Sequence, residues 1–214
     1  MEVTIIGSGN MGRGISTRLL NGGHSVTLIG HHLDKAEKLA EELTPLAKKG
    51  AIVQALPLGS QIVDEIVFLA VPYGATGSII EQYGRQLADK IVIDITNPLN
   101  ATYDGLAVPS GTSAAEEIAK SLPKSTKVLK AFNTTFAGTL VSGEIKGQPL
   151  DVFIAGNDSD AKNKTSQLVE DGGLRAIDAG PLSRARQLEA LGLLGITLQN
   201  TLGTQFQSAW KILA

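Results

Sequence analysis

Short, nearly unbroken apolar runs alternate along this chain with longer stretches in which apolar residues recur every three or four positions. The first kind predicts strands at Val3–Ile6, Ser25–Ile29, Ile52–Gln54, Glu65–Val71, Ile91–Ile95, Lys127–Ala131, Asp151–Ala155 and Leu174–Ile177. Segments such as "EIVFLAV" and "KIVIDIT" lack the in–out alternation of a half-exposed strand, and strands covered on both faces by helices read this way. The second kind predicts helices at Met11–Leu20, Asp34–Leu43, Ala75–Leu87, Ser113–Leu122 and Asp160–Glu170. Such alternation predicts an α/β fold, a doubly wound and mainly parallel sheet.

The end of the chain has another character. From Leu182 to about Gly203, Leu188, Leu191, Gly195, Leu198 and Leu202 recur at spacings of three and four, which predicts a C-terminal helical segment. Its Gly192, Gly195 and Gly203 each cost about 1 kcal/mol of helix propensity against alanine. Either a neighbouring backbone packs close there, or the glycines make room for a flat ligand ring or a second subunit. The expected division is a main domain over 1–180 and a helical segment over 181–214 that packs on the domain or on a dimer partner. Trp210, in "SAWKIL", would stand exposed at a bare terminus, and with the apolar seam it argues for a homodimer. Arg186 and Glu189 are spaced for an intrahelical pair worth ~0.2–0.5 kcal/mol.

The first predicted strand runs into "IIGSGNMGRG", that is Gly7-x-Gly9-x-x-Gly12 opening a helix. In that context the pattern signals a dinucleotide-binding, Rossmann-type fold. Gly7 permits the tight turn, Gly9 lets backbone approach a diphosphate, and Gly12 lets helix lie close to strand. The helix N-terminus then faces the anion. A phosphate-gripping P-loop is excluded, since no Gly-Lys-Ser/Thr follows.

Enzymes of this fold that use NAD place an acid at the end of the second strand to hold the ribose 2′-hydroxyl. Here the chain reads "IGHHLDK", with no acid before Asp34. A ribose phosphate would meet His31, His32 and Lys35. A lysine in the first turn opposes the helix dipole, a penalty that a bound phosphate reverses. NADP(H) is therefore the expected cofactor, against the alternatives of NAD held by Asp34 or two histidines without a role.

Composition narrows the rest. At 214 residues the chain has room for a full core. A net charge of −2 gives no basic face for nucleic acid. The absence of cysteine excludes disulfides, thiolate metal sites and a cysteine nucleophile. With three histidines in all, two of them adjacent, no metal site is expected. No apolar run approaches the ~18–20 residues that span a bilayer, and "MEVTIIGSG" enters a strand pattern without a signal segment. The expected setting is cytoplasmic, without a membrane partner.

Three strand ends converge on the expected nicotinamide end: Ala70-Val71-Pro72-Tyr73, Asn97-Pro98, and Asn133-Thr134 in "KAFNTTFAG". No acid–base constellation can be assembled from the sequence, so no catalytic residue is assigned. Hydride transfer between stacked rings needs mainly proximity and orientation, which a pocket can supply. Tyr73 could cover a ring face and Asn133 could hydrogen-bond a ring carbonyl.

These residues resemble the NADPH-dependent reductases of the 5-deazaflavin coenzyme F420. The resemblance covers essentially the whole chain and rests on "GSGNMG", "DKAEK", "AVPY" and above all "GGLRAIDAGPLSRARQLEAL", which lies outside the common dinucleotide fold. "KAFNT" is also similar to the NADPH domain of six-transmembrane metalloreductases. The resemblance implies that Ser8, Gly9, Asn10 and Met11 contact the diphosphate, that His31 and His32 stand where the family commonly has Ser and Arg, and that Lys35 matches a family lysine. It also implies that Ala137 falls near the nicotinamide and that Asn133 replaces a histidine beside the acceptor ring. The implied partner is a small redox acceptor, F420 or a flavin as second substrate. A carbonyl or imine reductase and a non-catalytic NADP-sensing module are the alternatives.

Overall fold

The computed structural model describes residues 1–213; Ala214, the last residue of the expected C-terminal segment, lies outside them. The chain forms β1 (Glu2–Ile6), α1 (Asn10–Gly22), β2 (Ser25–Gly30), α2 (Leu33–Leu43), β3 (Val53–Pro57) and β4 (Ile66–Leu69). There follow α3 (Thr76–Tyr83), β5 (Ile91–Asp94), α4 (Ala114–Ser121), β6 (Lys127–Lys130) and α5 (Ala137–Ser142). The chain closes with a hairpin of β7 (Glu144–Ile145) and β8 (Gln148–Pro149), then β9 (Asp151–Gly156), α6 (Ser159–Asp171), β10 (Arg175–Gly180) and α7 (Ala185–Leu202).

One eight-stranded sheet runs in the order β3-β2-β1-β4-β5-β6-β9-β10. The first six strands are parallel, in the order of two mononucleotide-binding halves meeting between β1 and β4. β9 is antiparallel to β6, and β10 is parallel to β9. The sheet is thus mainly parallel, with two strands reversed at one edge.

Strand alternation divides the core into two layers. In β4, Ile66 and Phe68 face α1, α2, α5 and α6, while Val67 and Leu69 face α3, α4 and the start of α7. All four are buried, which is why "EIVFLAV" reads as an unbroken apolar run. The run leaves the sheet early: Ala70 N–H still donates to Ile6 (2.8 Å), but Pro72 has no N–H to continue. The expected Ala75–Leu87 helix is α3 flanked by 3-10 turns at Tyr73–Ala75 and Gly84–Leu87. α5 and the β7–β8 hairpin were not legible, since six and two residues are too short to show a period.

At the C-terminus, a 3-10 turn at Leu182–Arg184 leads into α7, which Gly203 ends in the left-handed region at φ 62. The remaining chain folds back over the helix. Gln199 Nε2 donates to Gly195 O (2.7 Å) and Ser208 Oγ (2.9 Å), while its Oε1 accepts from Phe206 N (3.0 Å) and from the Thr204 hydroxyl. Trp210 packs on Gly195, where a Cβ would lie 3.0 Å from the indole nitrogen. This contact within the chain covers part of the indole, so Trp210 is half-buried and does not stand exposed as a bare terminus would leave it. The expected Arg186–Glu189 pair is also absent. Arg186 points out to Glu116 (2.6 and 2.8 Å), and Glu189 turns inward. Among the described residues no helix is long and apolar enough to cross a membrane.

The tail is anchored on Asp151, whose fully buried carboxylate accepts from Arg175 Nε (2.8 Å), Lys211 Nζ (2.6 Å) and Ile212 N (2.9 Å). Burial pushes this carboxyl up, but Arg175, the Ile212 amide and Lys211 outweigh it and hold the pKa at about 2. A carboxyl more acidic folded than unfolded contributes stability above the unfolded value of ~3.9, and that contribution is lost as pH falls toward the folded one. Acidification from about pH 4 to 2 should therefore release the tail. Asp151→Asn should release it at neutral pH. Each is expected to red-shift Trp210 fluorescence; unchanged emission in the variant would show that Asp151 does not hold the tail.

Candidate active site

The glycine loop shows three distinct constraints. Gly7 has φ 121, and a Cβ there would lie 2.1 Å from Ala70 O; a Cβ on Gly12 would lie 2.2 Å from Gly7 O. These two glycines let β1, β4 and α1 meet. A Cβ on Gly9 would find no protein atom within 4 Å, so its backbone is open to a ligand. α1 begins at Asn10 with no capping side chain and no acid in its first turn, leaving its first N–H groups without intrahelical acceptors. Such a donor set fits a diphosphate. Gly9 and Asn10 are exposed, and Ser8 and Met11 half-buried.

β2 delivers the histidine pair to the same edge. Gly30 packs so tightly that a Cβ would lie 2.8 Å from Ala36 Cβ and 3.1 Å from Ser8 Oγ, joining the two loops. Beyond it His31 and His32 are exposed, with ring centroids 4.8 Å apart, edge to face. His32 is the N-cap of α2 and makes no side-chain cap; Lys35 is exposed in the first turn. Two imidazoles and a lysine thus stand exposed within five residues of one another at the N-terminal end of α2, residue types that can hold a phosphate.

Across the switch point, Ala70, Val71 and Tyr73 are half-buried and Pro72 is exposed; Asn97 is half-buried and Pro98 buried. After β6 the chain passes through Phe132 at φ 62, an outlier for a bulky residue, fully buried and held by Thr135 N (3.1 Å) and Oγ1 (2.7 Å) on its carbonyl. This turn sends Asn133 inward. Its Nδ2 donates to Asn97 Oδ1 and to Leu188 O, both at 2.8 Å, and Asn97 Nδ2 returns a bond to Asn133 O at 2.8 Å. The amide orientation follows from Leu188, whose carbonyl can only accept. Asn133 is 4% exposed. The expectation that it reaches an acceptor ring is thus corrected: its donors are spent tying Asn97 to α7. Thr134 is buried beside it, and Ala137 is half-buried at the start of α5.

The helix glycines find their explanation here. A Cβ on Gly192 would lie 2.3 Å from Asn97 Oδ1, and one on Gly195 would press on Trp210 and Phe136. The room they make is filled by the chain's own side chains.

Sequence reasoning missed one group entirely. Lys130, fully buried, donates to Asp94 Oδ2 (2.7 Å), to Glu189 Oε1 (2.9 Å) and to Thr96 O; both carboxylates are also fully buried. Glu189 further accepts Ala114 N (2.9 Å) and Ala115 N (3.3 Å) at the start of α4, and Asp94 accepts Thr96 N (2.9 Å). Burial pushes the Glu189 carboxyl up, against the pull of Lys130. The Tyr73 phenol is pushed up by burial and by Glu117, Glu189 and Asp94, so it stays neutral. This charged set is sealed from solvent, so it is an ion-pair network inside the fold and not an acid–base constellation open to a substrate. Its signal in the sequence was a charge inside each of two apolar strands, "IVIDIT" and "KVLKAF".

A doubly wound sheet with an open glycine loop at its switch point defines a dinucleotide-binding protein. Residues 2–98 match the family model "NADP oxidoreductase coenzyme F420-dependent". The F420-dependent NADP reductase of Methanocaldococcus jannaschii is 32% identical over 93% of both chains. Metalloreductase STEAP3 of Rattus norvegicus is 30% identical over 90% of this chain but only 36% of its own. A crystal structure of a candidate F420-dependent NADP reductase from Arthrobacter sp. FB24 superposes with TM-score 0.82 over 99% of both chains, at 28% identity. The chain belongs to the F420-dependent NADP reductases, a family of oxidoreductases.

Proposed function

We propose that this protein moves a hydride between NADP(H) and a planar deazaflavin-type acceptor, F420 before a flavin. One observation carries the reading: the match to an F420-dependent NADP reductase runs over 93% of both chains, so it reaches the C-terminal segment as well as the nucleotide fold. Gly7, Ser8, Gly9, Asn10, Met11 and Gly12 take the diphosphate on backbone N–H groups, and His31, His32 and Lys35 take the 2′-phosphate. Ala70 to Tyr73, Asn97, Pro98, Asn133, Thr134 and Ala137 bound the nicotinamide end. Residues 1–180 are the dinucleotide-binding domain, closed at its carboxyl edge by the segment 181–214. When bound, the reduced nicotinamide supplies the hydride. The chain contributes orientation and exclusion of water, with the Tyr73 hydroxyl available as a neutral donor.

The test is NADPH oxidation followed with F420, FMN, FAD, ferric chelates, simple ketones and imines. F420 is expected to react fastest. Reduction of the ketones or imines alone would replace this reading with that of a carbonyl or imine reductase. We also propose a homodimer built on the outer face of α7 and the turn after it, where Leu194, Leu202 and Phe206 are 47%, 58% and 48% exposed. Such an apolar strip favours a partner. Sedimentation should give a dimer at micromolar concentration, and a monomer there would exclude this interface.

A further inference from the structure

Three of the elements at the proposed nicotinamide end, β5, β6 and α7, are tied to one lysine. Lys130 on β6 holds Asp94 at the end of β5 and the Thr96 carbonyl one residue before Asn97, and it holds Glu189 on α7. Glu189 divides its oxygens: Oε1 meets Lys130 and Ala115 N, while Oε2 meets Ala114 N. One carboxylate therefore closes β6, α4 and α7 on each other. The residues beside it on α7 continue the contact, Leu188 through its carbonyl to Asn133 and Gly192 against Asn97.

We propose that Glu189, acting through Lys130, is a positioning residue for the acceptor side of the site. The buried Asp94–Lys130–Glu189 set fixes the height and rotation of α7, and so places Asn97 and Asn133 at the nicotinamide end. This rests on the hydride-transfer reading above. Stability alone does not ask for these charges, because well-packed apolar residues replace buried ion pairs at little or no loss. Directional bonds to four elements define a register that apolar contact would leave free to slide.

Glu189→Gln keeps the shape of the side chain. Its amide presents one acceptor where the carboxylate has two, and turns a donor toward either Lys130 or the α4 N–H groups. α7 should shift by a fraction of an ångström, and small misplacements of reacting groups cost up to about 10²-fold in rate. Three measurements on the full chain test this. Amide hydrogen exchange should quicken at the start of α4 and in the first half of α7, and stay unchanged in α1. NADPH affinity, from fluorescence titration, should stay unchanged while the emission of the bound nicotinamide shifts. The kcat with F420 should fall at least about tenfold, and the isotope effect with NADPH deuterated at the transferred hydrogen should rise as that step becomes limiting.

A merely structural role predicts a different pattern: kcat falls with the amount of folded protein, the isotope effect is unchanged, and exchange rises throughout. That result overturns the proposal, as does an unaltered variant. If the wild-type protein reduces no planar acceptor, the proposed function fails. The exchange pattern and nicotinamide emission then still decide for or against Glu189, since neither depends on turnover.

Discussion

Replacing His31 and His32 together by alanine is expected to weaken NADPH binding at pH 6 by about 10²-fold and to leave NADH binding nearly unchanged. The magnitude follows from two hydrogen bonds to a phosphate, about 1.5 kcal/mol or more each, at 1.4 kcal/mol per factor of ten. Both rings are exposed at the end of β2, and neither caps α2, so their loss disturbs no packing. NADH carries no 2′-phosphate for the pair to hold. Lys35→Ala should likewise weaken NADPH binding and spare NADH, since its ammonium would meet the same phosphate. Titration of nicotinamide fluorescence with the two cofactors measures all of this. Equal affinities for both cofactors at pH 6 would exclude a phosphate site at this pair, and a preference for NADH lost in Asp34→Ala would move recognition to that acid.

Lys130→Met should be the most damaging single change in the sheet, costing about 3–5 kcal/mol by leaving buried carboxylates without their cation. Asp94 and Glu189 would remain, both fully buried, with only backbone N–H groups as partners. The Glu189 carboxyl, already held up by burial, would rise further once Lys130 no longer pulls it down. An acid whose folded pKa lies above its unfolded one binds more protons when folded. Its stability is therefore lost as pH rises from the unfolded value toward the folded one, and is recovered on acidification. Urea unfolding at pH 5 and 8 should show the variant more stable at pH 5. Glu189→Gln in the Lys130→Met background should recover part of the loss, because one orphaned charge replaces two. A cost under about 1 kcal/mol with no pH dependence would mean that the ammonium is not paired as the structure has it.

Whatever depends on neighbours along the chain is legible in the amino-acid sequence. A strand covered on both faces is apolar at every position, and β4 and β5 show it. Gly7 and Gly12 announce a turn because no side chain fits there, and His31 and His32 stand where a strand must end and a helix begin, within a few residues of each other. Local periodicity and backbone sterics act over such distances.

Other features depend on residues far apart in the chain, and only the tertiary structure decided them. β9 reverses against β6 because of how the chain returns to the edge of the sheet, and an apolar strand carries no mark of its direction. The partners of Glu189 at β6 and α4 lie 59 to 75 residues away, and those of Asn133 lie 36 and 55 away. Spacing on α7 pointed instead to Arg186 as the partner of Glu189. Burial prevailed: desolvating a carboxylate is costly enough that, once inside, it must find every donor within reach, whichever element carries it.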